Sequence, residues 1–180
     1  IEMRYRLMPY IYAQSKYSTE KGLPMLRALL VEYPDDPGSW LVDNEYLFGS
    51  DILVAPLFEE NETGRDVYLP PGQWIDYQSK KVYPGGWHKI EAGGAVSVIM
   101  LVRDGAVIPH ISLAQSTNDM DWSKLDLVVF SANGSEAKGK VCLPSDQRLY
   151  DLSVVKKGKG LALSNDPLAG KVKWTLRSYR

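Results

Sequence analysis

The sequence predicts a mostly β protein in which a short α/β segment precedes two antiparallel β-sandwich domains. Residues 25–31 are a nearly continuous apolar run of strand length, and a strand that is apolar on both faces is typical of a parallel sheet covered by helices. From residue 52 onward, short apolar or alternating runs are separated by turn residues, which is the pattern of antiparallel sandwiches. One parallel strand cannot form a sheet, so we expect most of its sheet or barrel to lie outside these 180 residues.

The first predicted element is a helix over residues 4–21. Apolar residues recur at helical spacing from Tyr5 to Tyr12 and give the helix one apolar face. Pro9 lies inside this pattern, so it either kinks the helix or marks its true start. Gly22 is expected to end the helix.

A predicted strand at residues 25–31 follows the helix. Residues 35–38, with the sequence DDPG, are expected to form the loop after this strand. Residues 40–48 are expected to form a short helix, because Leu41, Glu45 and Phe48 follow one another at spacings of four and three, and Gly49 ends it.

The remainder of the chain predicts two β units with a polar loop at residues 115–123 between them. Asn133-Gly134 is a strong signal for a hairpin turn, and residues 156–160 are interpreted as a solvated turn. The strands expected in the first unit are residues 52–57, 65–69, 73–77, 87–91, 96–101 and 106–108, and those in the second are residues 125–130, 139–143, 150–155, 160–163 and 171–176. The predicted domains are residues 1–50, 51–110 and 111–180.

The composition is that of a globular protein with balanced charge. The formal net charge is −1, with 44% hydrophobic and 24% charged residues. This balance argues against a nucleic-acid partner, which requires a basic face. No window approaches the roughly 20 apolar residues of a membrane span. Cys142 is the single cysteine, which excludes an intrachain disulfide and a cysteine metal cluster. The chain begins with Ile1 and not with Met, so we expect further sequence upstream of it.

Three carboxylates near the predicted parallel strand are the first candidates for catalysis. Glu32, Asp35 and Asp36 follow the strand, and loops at the C-terminal ends of barrel strands form active sites. The alternative is that Asp35 and Asp36 cap a short helix or form a turn before Pro37. Neighbouring carboxylates also cannot easily face each other across a substrate. We therefore assign no catalytic role to any of the three.

The two histidines do not indicate triad or metal chemistry. His88 lies between Trp87 and Lys89 and is typical of a hydrogen-bonded strand residue, whereas His110 follows Pro109 and is typical of a loop. No serine has a nucleophile-elbow pattern. No group of His, Asp or Glu has the spacing of metal ligands, and the sequence has no glycine-rich phosphate loop. The sequence therefore predicts no catalytic, cofactor-binding or metal-binding residue in this chain, and no cofactor.

Aromatic residues cluster in the first β unit. Trp74, Tyr77, Tyr83 and Trp87 have flat faces that suit sugars, but large aromatic side chains dominate cores and interfaces, and we favour that interpretation. Asn61-Glu62-Thr63 and Asn133-Gly134-Ser135 match the glycosylation pattern, which is common by chance; the second is better explained as a turn.

An ordered series of short motifs runs along residues 4–110. It comprises RYRLMPYIY from Arg4, GLPMLRAL from Gly22, YPDDP from Tyr33, EYLFG from Glu45, ILVAP from Ile52, YLPPGQW from Tyr68, WHK from Trp87 and VRDGAVIP from Val102. Together these motifs are specific, and they resemble the end of the catalytic barrel and the C-terminal domains of glycoside hydrolase family 31. Residues 111–180 match that family only in their β character.

The resemblance implies an α-glycosidase that acts with retention, through two carboxylates about 5 Å apart. In that family both carboxylates are aspartates on earlier barrel strands, so they would lie upstream of Arg4 and the present chain alone would be inactive. The chain would supply the last strand and helices of a (β/α)8 barrel and then a proximal and a distal C-terminal β domain that brace the barrel. The carbohydrate substrate would bind in the upstream barrel, and the β domains would be available for contacts in a homo-oligomer.

The resemblance also gives an expectation for the substrate. Ala28, where many members of the family have proline, favours the α-xylosidase branch over α-glucosidases, as do the PDDP stretch from Pro34 and the WHK motif from Trp87. The alternatives from other classes are a stand-alone, non-catalytic β-sandwich module that binds carbohydrate or a partner through its aromatic residues, and a purely structural domain. The first fifty residues argue against both alternatives, because a binding module has no use for a barrel strand flanked by amphipathic helices.

Overall fold

The computed structural model describes residues 1–93, 98–132, 136–158 and 160–179. The protein is mostly β, as predicted, with two six-stranded sheets. Its contacts divide it into two compact units. Unit 1 comprises Ile1–Gly22 and Gly105–Arg180, and unit 2 comprises Leu23–Asp104. The domain boundaries at residues 50 and 110 stay predictions.

The part of the chain that the structure describes contains three helices and twelve strands. The helices are α1 (Glu2–Arg6), α2 (Met8–Lys21) and α3 (Leu29–Glu32), with 3₁₀ turns at Pro37–Trp40 and Thr117–Asp119. The strands are β1 (Leu26–Arg27), β2 (Tyr46–Phe48), β3 (Ile52–Pro56), β4 (Gly64–Asp76), β5 (Val82–Glu91), β6 (Val98–Arg103), β7 (Ala106–Ile111), β8 (Lys124–Phe130), β9 (Glu136–Cys142), β10 (Leu149–Lys157), β11 (Gly160–Asn165) and β12 (Lys173–Ser178). None of the helices in these described ranges is long and apolar enough to cross a membrane.

The predicted helix at residues 4–21 is two helices, α1 and α2, joined at Leu7. Pro9 lies in the first turn of α2, where its missing N–H has no helical acceptor to lose, so it marks the start of the main helix. Gly22 adopts a left-handed φ of 67° and its N–H donates to the Ser18 carbonyl, which confirms the predicted end. The buried residues of α2, among them Tyr10, pack against β7 and β9.

The predicted parallel strand at residues 25–31 is wrong. Only β1 is extended there, and it pairs antiparallel with β2. The chain then turns into α3, in which the Tyr33 N–H donates to the Leu29 carbonyl at 2.9 Å. Leu26 and Val31 are 56% and 39% exposed, so the apolar run is not covered on both faces. Within the described residues 22–50 no strand of barrel type forms, and the end of a TIM-type barrel that was expected at residues 1–50 is not part of this segment.

Arg27 explains the turn. Its guanidinium group is fully buried inside the apolar run, where its Nε donates to the Pro24 carbonyl at 2.9 Å and its Nη1 is paired with Glu32. A buried arginine needs such partners. The pairing therefore requires the chain to fold back within five residues and prevents a longer strand.

The predicted helix at residues 40–48 is also wrong. The chain forms the 3₁₀ turn Pro37–Trp40, a connecting stretch and then β2. Leu41 is 81% exposed whereas Leu47 is fully buried. In β2 the side chains alternate between the two faces of the strand, and only the middle residue, Leu47, is buried in the core. This alternation is the pattern of a strand and not of a helix with one apolar face.

The sheet of unit 2 has the strand order β1-β2-β3-β6-β4-β5 with antiparallel pairing throughout. The two runs predicted at residues 65–69 and 73–77 are one strand, β4, whose register shifts between Leu69 and Gln73. The shift falls on Pro70-Pro71-Gly72, because proline cannot donate to the strand ladder. One buried apolar cluster of this unit comprises Leu29, Val42, Leu47, Leu53, Ala55, Val67, Leu69, Trp74, Ile90, Ile99 and Leu101.

The sheet of unit 1 has the order β11-β10-β9-β7-β8-β12. It is mixed and not purely antiparallel, because β12 pairs parallel with β8 and β7 pairs parallel with β9. Its edge strands β11 and β12 also contact each other, so the sheet curls towards closure. The sequence places β7 at the end of the first β unit, but this strand joins the second sheet. The predicted hairpin turn at Asn133-Gly134 lies outside the described residues.

Gly139 permits the parallel contact between β7 and β9. A Cβ atom at this position would lie 2.2 Å from the Val107 carbonyl oxygen. That distance is below any real contact, and the obstacle is backbone that cannot rotate away. The apolar core around this pair includes Val107, Leu127, Val129, Val141 and Leu152.

Candidate functional site

A loop of unit 2, residues 33–45, is tied near both ends to Tyr68 of β4. The Tyr68 hydroxyl donates to the Asp36 carboxylate, with both O···O distances at 2.8 Å. The backbone N–H of Tyr68 donates to Oε1 of Glu45 at 3.0 Å. One strand residue therefore holds two carboxylates of what we call the anchored loop.

Asp36 organises the first half of the anchored loop. It precedes the 3₁₀ turn, accepts hydrogen bonds from the Ser39 hydroxyl at 2.8 Å and the Gly38 N–H at 3.4 Å, and so caps the turn. Desolvation by itself would raise the pKa of Asp36, but the hydrogen bonds from Ser39, Tyr68 and the backbone together hold it below its usual value. This arrangement confirms the capping alternative for Asp36.

The Tyr68 ring is packed against the backbone of the same turn. A Cβ atom on Gly38 would lie 2.1 Å from the ring's Cζ. Burial raises the pKa of Tyr68 to about 12, and the hydrogen bond to Asp36 and that group's charge add to the rise. The hydroxyl therefore stays protonated and continues to donate across the physiological range.

Glu45 closes the second half of the anchored loop from inside the core. It is 4% exposed, and its Oε2 lies 3.8 Å from Nη2 of Arg65. Arg65 donates instead to the Asn44 carbonyl at 2.7 Å. Burial raises the pKa of Glu45 to about 7, although the Tyr68 N–H and the charge of Arg65 both oppose the rise. Glu45 Oε2 and Arg65 Nε have no hydrogen-bond partner among the described residues.

A second polar group joins the start of the anchored loop to β6. Nη2 of Arg103 donates to Oδ1 of Asp51 at 3.0 Å, and the Arg103 side chain also hydrogen-bonds Tyr33. Burial raises the pKa of Tyr33, and the carboxylates of Asp51 and Asp36 add to the rise while Arg103 opposes it. The phenol therefore acts as a structural hydrogen-bonding group at neutral pH.

The structure does not bring the three carboxylate candidates together around a cleft. Glu32 is paired with Arg27, Asp36 caps a turn and Asp35 is exposed. A glycosidase needs two carboxylates that face one another with substrate between them. The arrangement can fix a loop, but it offers no acid and nucleophile pair among these residues.

The histidines differ from one another. Nε2 of His88 lies 2.7 Å from the Pro84 carbonyl oxygen, as expected for a hydrogen-bonded strand residue. The expectation that His110 is a loop residue is wrong, because it lies within β7 and is paired in register with Asp126. In the described ranges no three His, Cys, Asp or Glu side chains could hold a metal ion. Cys142 is buried, and burial raises the pKa of its thiol, which agrees with a core residue.

The aromatic cluster divides into core and surface. Trp74 is fully buried and its Nε1 donates to the Pro70 carbonyl at 2.9 Å, so it is a core residue as favoured. Trp87 is 59% exposed and packs on Tyr68 with ring centroids 5.3 Å apart. Trp40, in the anchored loop, is 60% exposed.

Sequence reasoning did not single out Tyr68, Glu45 or Arg103 as members of a polar network. The sequence does contain a local signal for Glu45, because this charged residue stands directly before the apolar run YLFG. The partners of Tyr68 are 23 and 32 residues away in sequence, and no local pattern indicates them.

Comparison with known proteins places these features in a family context. Residues 22–108 match the glycosyl hydrolase family 31 C-terminal domain. The anchored loop, Tyr68 and Arg103 all lie within that match.

The relatives are longer than this chain. An α-glucosidase of Saccharolobus solfataricus is 33% identical over 190 residues, which cover 96% of this chain and 27% of the relative. An α-xylosidase of the same organism is 29% identical over 131 residues, which cover 72% of this chain and 18% of the relative. A family 31 dextranase of Flavobacterium johnsoniae, complexed with glucose, superposes with a TM-score of 0.77 at 27% identity, covering 89% of this chain and 21% of that one.

Proposed function

Because the chain belongs to glycosyl hydrolase family 31, as a C-terminal portion, we propose that it is part of a retaining α-glycosidase that hydrolyses terminal α-linked glucosyl or xylosyl residues. The observation that carries this proposal is the match of the family's C-terminal domain to residues 22–108. Retaining enzymes use two carboxylates about 5 Å apart, and the family resemblance implies that both would lie in a barrel domain outside this chain.

The role of this chain in such an enzyme is to brace the catalytic domain. The anchored loop supports this role, because Asp36 and Glu45 hold it to Tyr68 while two of its large apolar side chains are exposed. Trp40 and Leu41 are 60% and 81% exposed, and Leu26 is 56% exposed. Contiguous exposed apolar patches mark contact surfaces, and Trp40 and Leu41 are adjacent in the chain. We propose that the partner of this surface is the catalytic domain, because the chain spans only 18–27% of the relatives described above.

The order of identities favours glucosyl over xylosyl substrates. The α-glucosidase relative is more similar to this chain and matches more of it than the α-xylosidase relative does. The α-xylosidase preference drawn from Ala28 and the WHK motif therefore has less support. Assays with both substrates decide between the two preferences.

The test uses the full-length protein that carries this chain, and the 180-residue chain alone, with aryl α-glucoside and aryl α-xyloside. We expect turnover by the full-length protein, with the α-anomer as the first product in NMR, and none by the chain alone. A mock purification from cells lacking the gene controls for contaminants. Turnover by the chain alone would contradict the proposal that the catalytic carboxylates lie outside it. A β-anomer as first product would contradict a retaining mechanism.

One observation favours a second function. Trp87 is exposed and backed by Tyr68, which is the form of a stacking platform for a sugar ring. A non-catalytic carbohydrate-binding module would show saturable binding of malto-oligosaccharides by the chain alone, abolished by Trp87→Ala. Absence of both hydrolysis by the full-length protein and binding by the chain would leave a structural domain.

A further inference from the structure

Unit 1 contains a polar pocket that the proposed activity does not use. Its volume is about 310 Å³. This size falls within the range of small-molecule sites. The residues that line it are Arg6, His110, Ile111, Ser112, Asp126, Val128, Arg177, Ser178 and Tyr179.

The register of three neighbouring strands brings the charged groups of this pocket to one face. His110 of β7 is opposite Asp126 of β8, and Arg177 of β12 is opposite Val128 of β8. Side chains two residues apart in a strand share a face, so Asp126 and Val128 lie on the same side. Leu125 and Leu127 occupy the other side, in the apolar core. Three charged or titratable residues of the pocket, His110, Asp126 and Arg177, are therefore positioned by paired strands of the sheet.

The charges of the pocket do not cancel. Arg177 Nη2 lies 2.9 Å from Oδ2 of Asp126, so this pair is neutral as a whole. Arg6, at the end of α1, has no ion pair with a carboxylate within the described part of the chain. The guanidinium group of Arg177 has further N–H donors beyond the one that contacts Asp126. The pocket thus has one excess positive charge and several donors.

The charged groups of the pocket also affect the pKa of His110. Burial lowers its pKa to about 4; Asp126 opposes this effect, and the charges of Arg6 and Arg177 add to it. The imidazole is therefore neutral at pH 7. A bound anion would offset the two arginines and favour the imidazolium form, so His110 provides a spectroscopic reporter of occupancy.

We propose that this pocket binds a phosphate group. Arginine forks match phosphate oxygens, and the Ser112 and Ser178 hydroxyls are further donors at the same opening. The pocket volume exceeds that of a bare phosphate ion, so there is room for a phosphate ester of a small molecule, such as a hexose phosphate, as well as for the free ion.

The experiment measures binding of inorganic phosphate and of glucose 6-phosphate to the full-length protein, by calorimetry at constant ionic strength with chloride as the competing salt. We expect saturable binding and a rise of the His110 pKa, followed by NMR of the imidazole. Tighter binding of glucose 6-phosphate than of phosphate indicates the ester, and equal binding indicates the free ion. Either result supports the pocket.

Matched variants locate the binding. Arg6→Gln and Arg177→Gln should each weaken phosphate binding about tenfold or more, the order expected for loss of a charge-assisted hydrogen bond. Arg4→Gln, on the same helix, and Lys173→Gln, on the same strand, are exposed and do not line the pocket, so they should change affinity little.

The proposal is overturned by a linear, non-saturating response, or by equal effects of the four variants. It is also overturned if phosphate does not bind and Arg6→Gln lowers thermal stability while Arg4→Gln does not, because the pocket then holds a carboxylate from the rest of the protein. Hydrolysis is not a readout here, so failure of this proposal leaves the proposed enzymatic function unaffected.

Discussion

Individual residues in this chain matter most where a charge is held close to the core. Tyr68 holds Asp36 through its hydroxyl and Glu45 through its backbone, and the two carboxylates have opposite pKa shifts. Asp36 receives several donors at a partly exposed site, whereas Glu45 is buried with one oxygen lacking a partner in the described residues. The same loop therefore contains one group that stabilises the fold when ionised and one that stabilises it when protonated.

Tyr68→Phe removes the donor to Asp36 and leaves the ring in place. We expect the unfolding free energy to fall by about 1 kcal/mol at pH 7, because a hydrogen bond to a charged group is lost at a partly exposed site. The lowered pKa of Asp36 gives stability that is present above the unfolded pKa and lost as the pH falls through the folded pKa.

Wild type and Tyr68→Phe should therefore converge in stability as the pH falls through the lowered pKa of Asp36. Denaturant unfolding from pH 2 to 8 measures the convergence. Tyr46→Phe, in β2 of the same sheet, is the control. An unchanged Asp36 pKa in Tyr68→Phe by NMR would show that the hydroxyl does not set it.

Glu45→Gln tests the buried carboxyl. The pKa of Glu45 is raised from 4.5 to about 7, so the folded state binds more protons than the unfolded state between these values. Stability from this group is present below the unfolded pKa and is lost as the pH rises through this window, by roughly 3 kcal/mol. Glu45→Gln should flatten the pH dependence between pH 4.5 and 7 relative to wild type, and the exposed control Glu91→Gln should not. Parallel curves for wild type and Glu45→Gln would contradict the shift.

At the scale of helices and strands, local chemistry was predicted well and pairing was not. Pro9 and Gly22 mark the two ends of α2 because their backbone restrictions operate within a few residues. The strand at residues 25–31 was not predictable as a turn, because its cause is the buried pairing of Arg27 with Glu32. Hydrophobicity alone cannot distinguish a buried strand from a short strand and a turn of helix. The parallel pairs in the sheet of unit 1 depend on contacts distant in sequence.

Gly139→Ala should destabilise that sheet. The new methyl group would meet the Val107 carbonyl at 2.2 Å, and overpacking against fixed backbone costs about 1–3 kcal/mol. Gly160→Ala is the matched control within the same sheet, since its nearest neighbour is 3.9 Å away. Hydrogen exchange of β7 and β9 amides measures the effect. Equal exchange in both variants would show that the sheet relaxes around the methyl group.

For the whole molecule, the family was predictable because its motifs are short, ordered and local. The candidate site was not, because its members are joined by Tyr68 across 23 and 32 residues. The exposure of Trp40 and Leu41 in the anchored loop would be explained by the proposed contact with a catalytic domain.

Leu41→Asp should lower the stability of the full-length protein by disrupting the proposed contact between the anchored loop and the catalytic domain. Placing a charge in a desolvated contact is unfavourable, so we expect a lower Tm and faster hydrogen exchange in residues 33–45. Val82→Asp, exposed on the edge strand β5, is the control. If the two variants behave alike in the full-length protein, Leu41 faces solvent and the bracing surface lies elsewhere.

The two segments of unit 1 have a consequence for synthesis on the ribosome. Residues 1–22 are translated before all of unit 2, yet the strands they pack against come from residues 105–180. At about 5–20 residues per second, α2 waits several seconds for its sheet, whereas unit 2 is contiguous and can complete its own sheet first. During that interval the apolar face around Tyr10 and Ala13 is without its strands. A ribosome stalled just after residue 104 has emerged would present a finished unit 2 beside a helix that chaperones can bind.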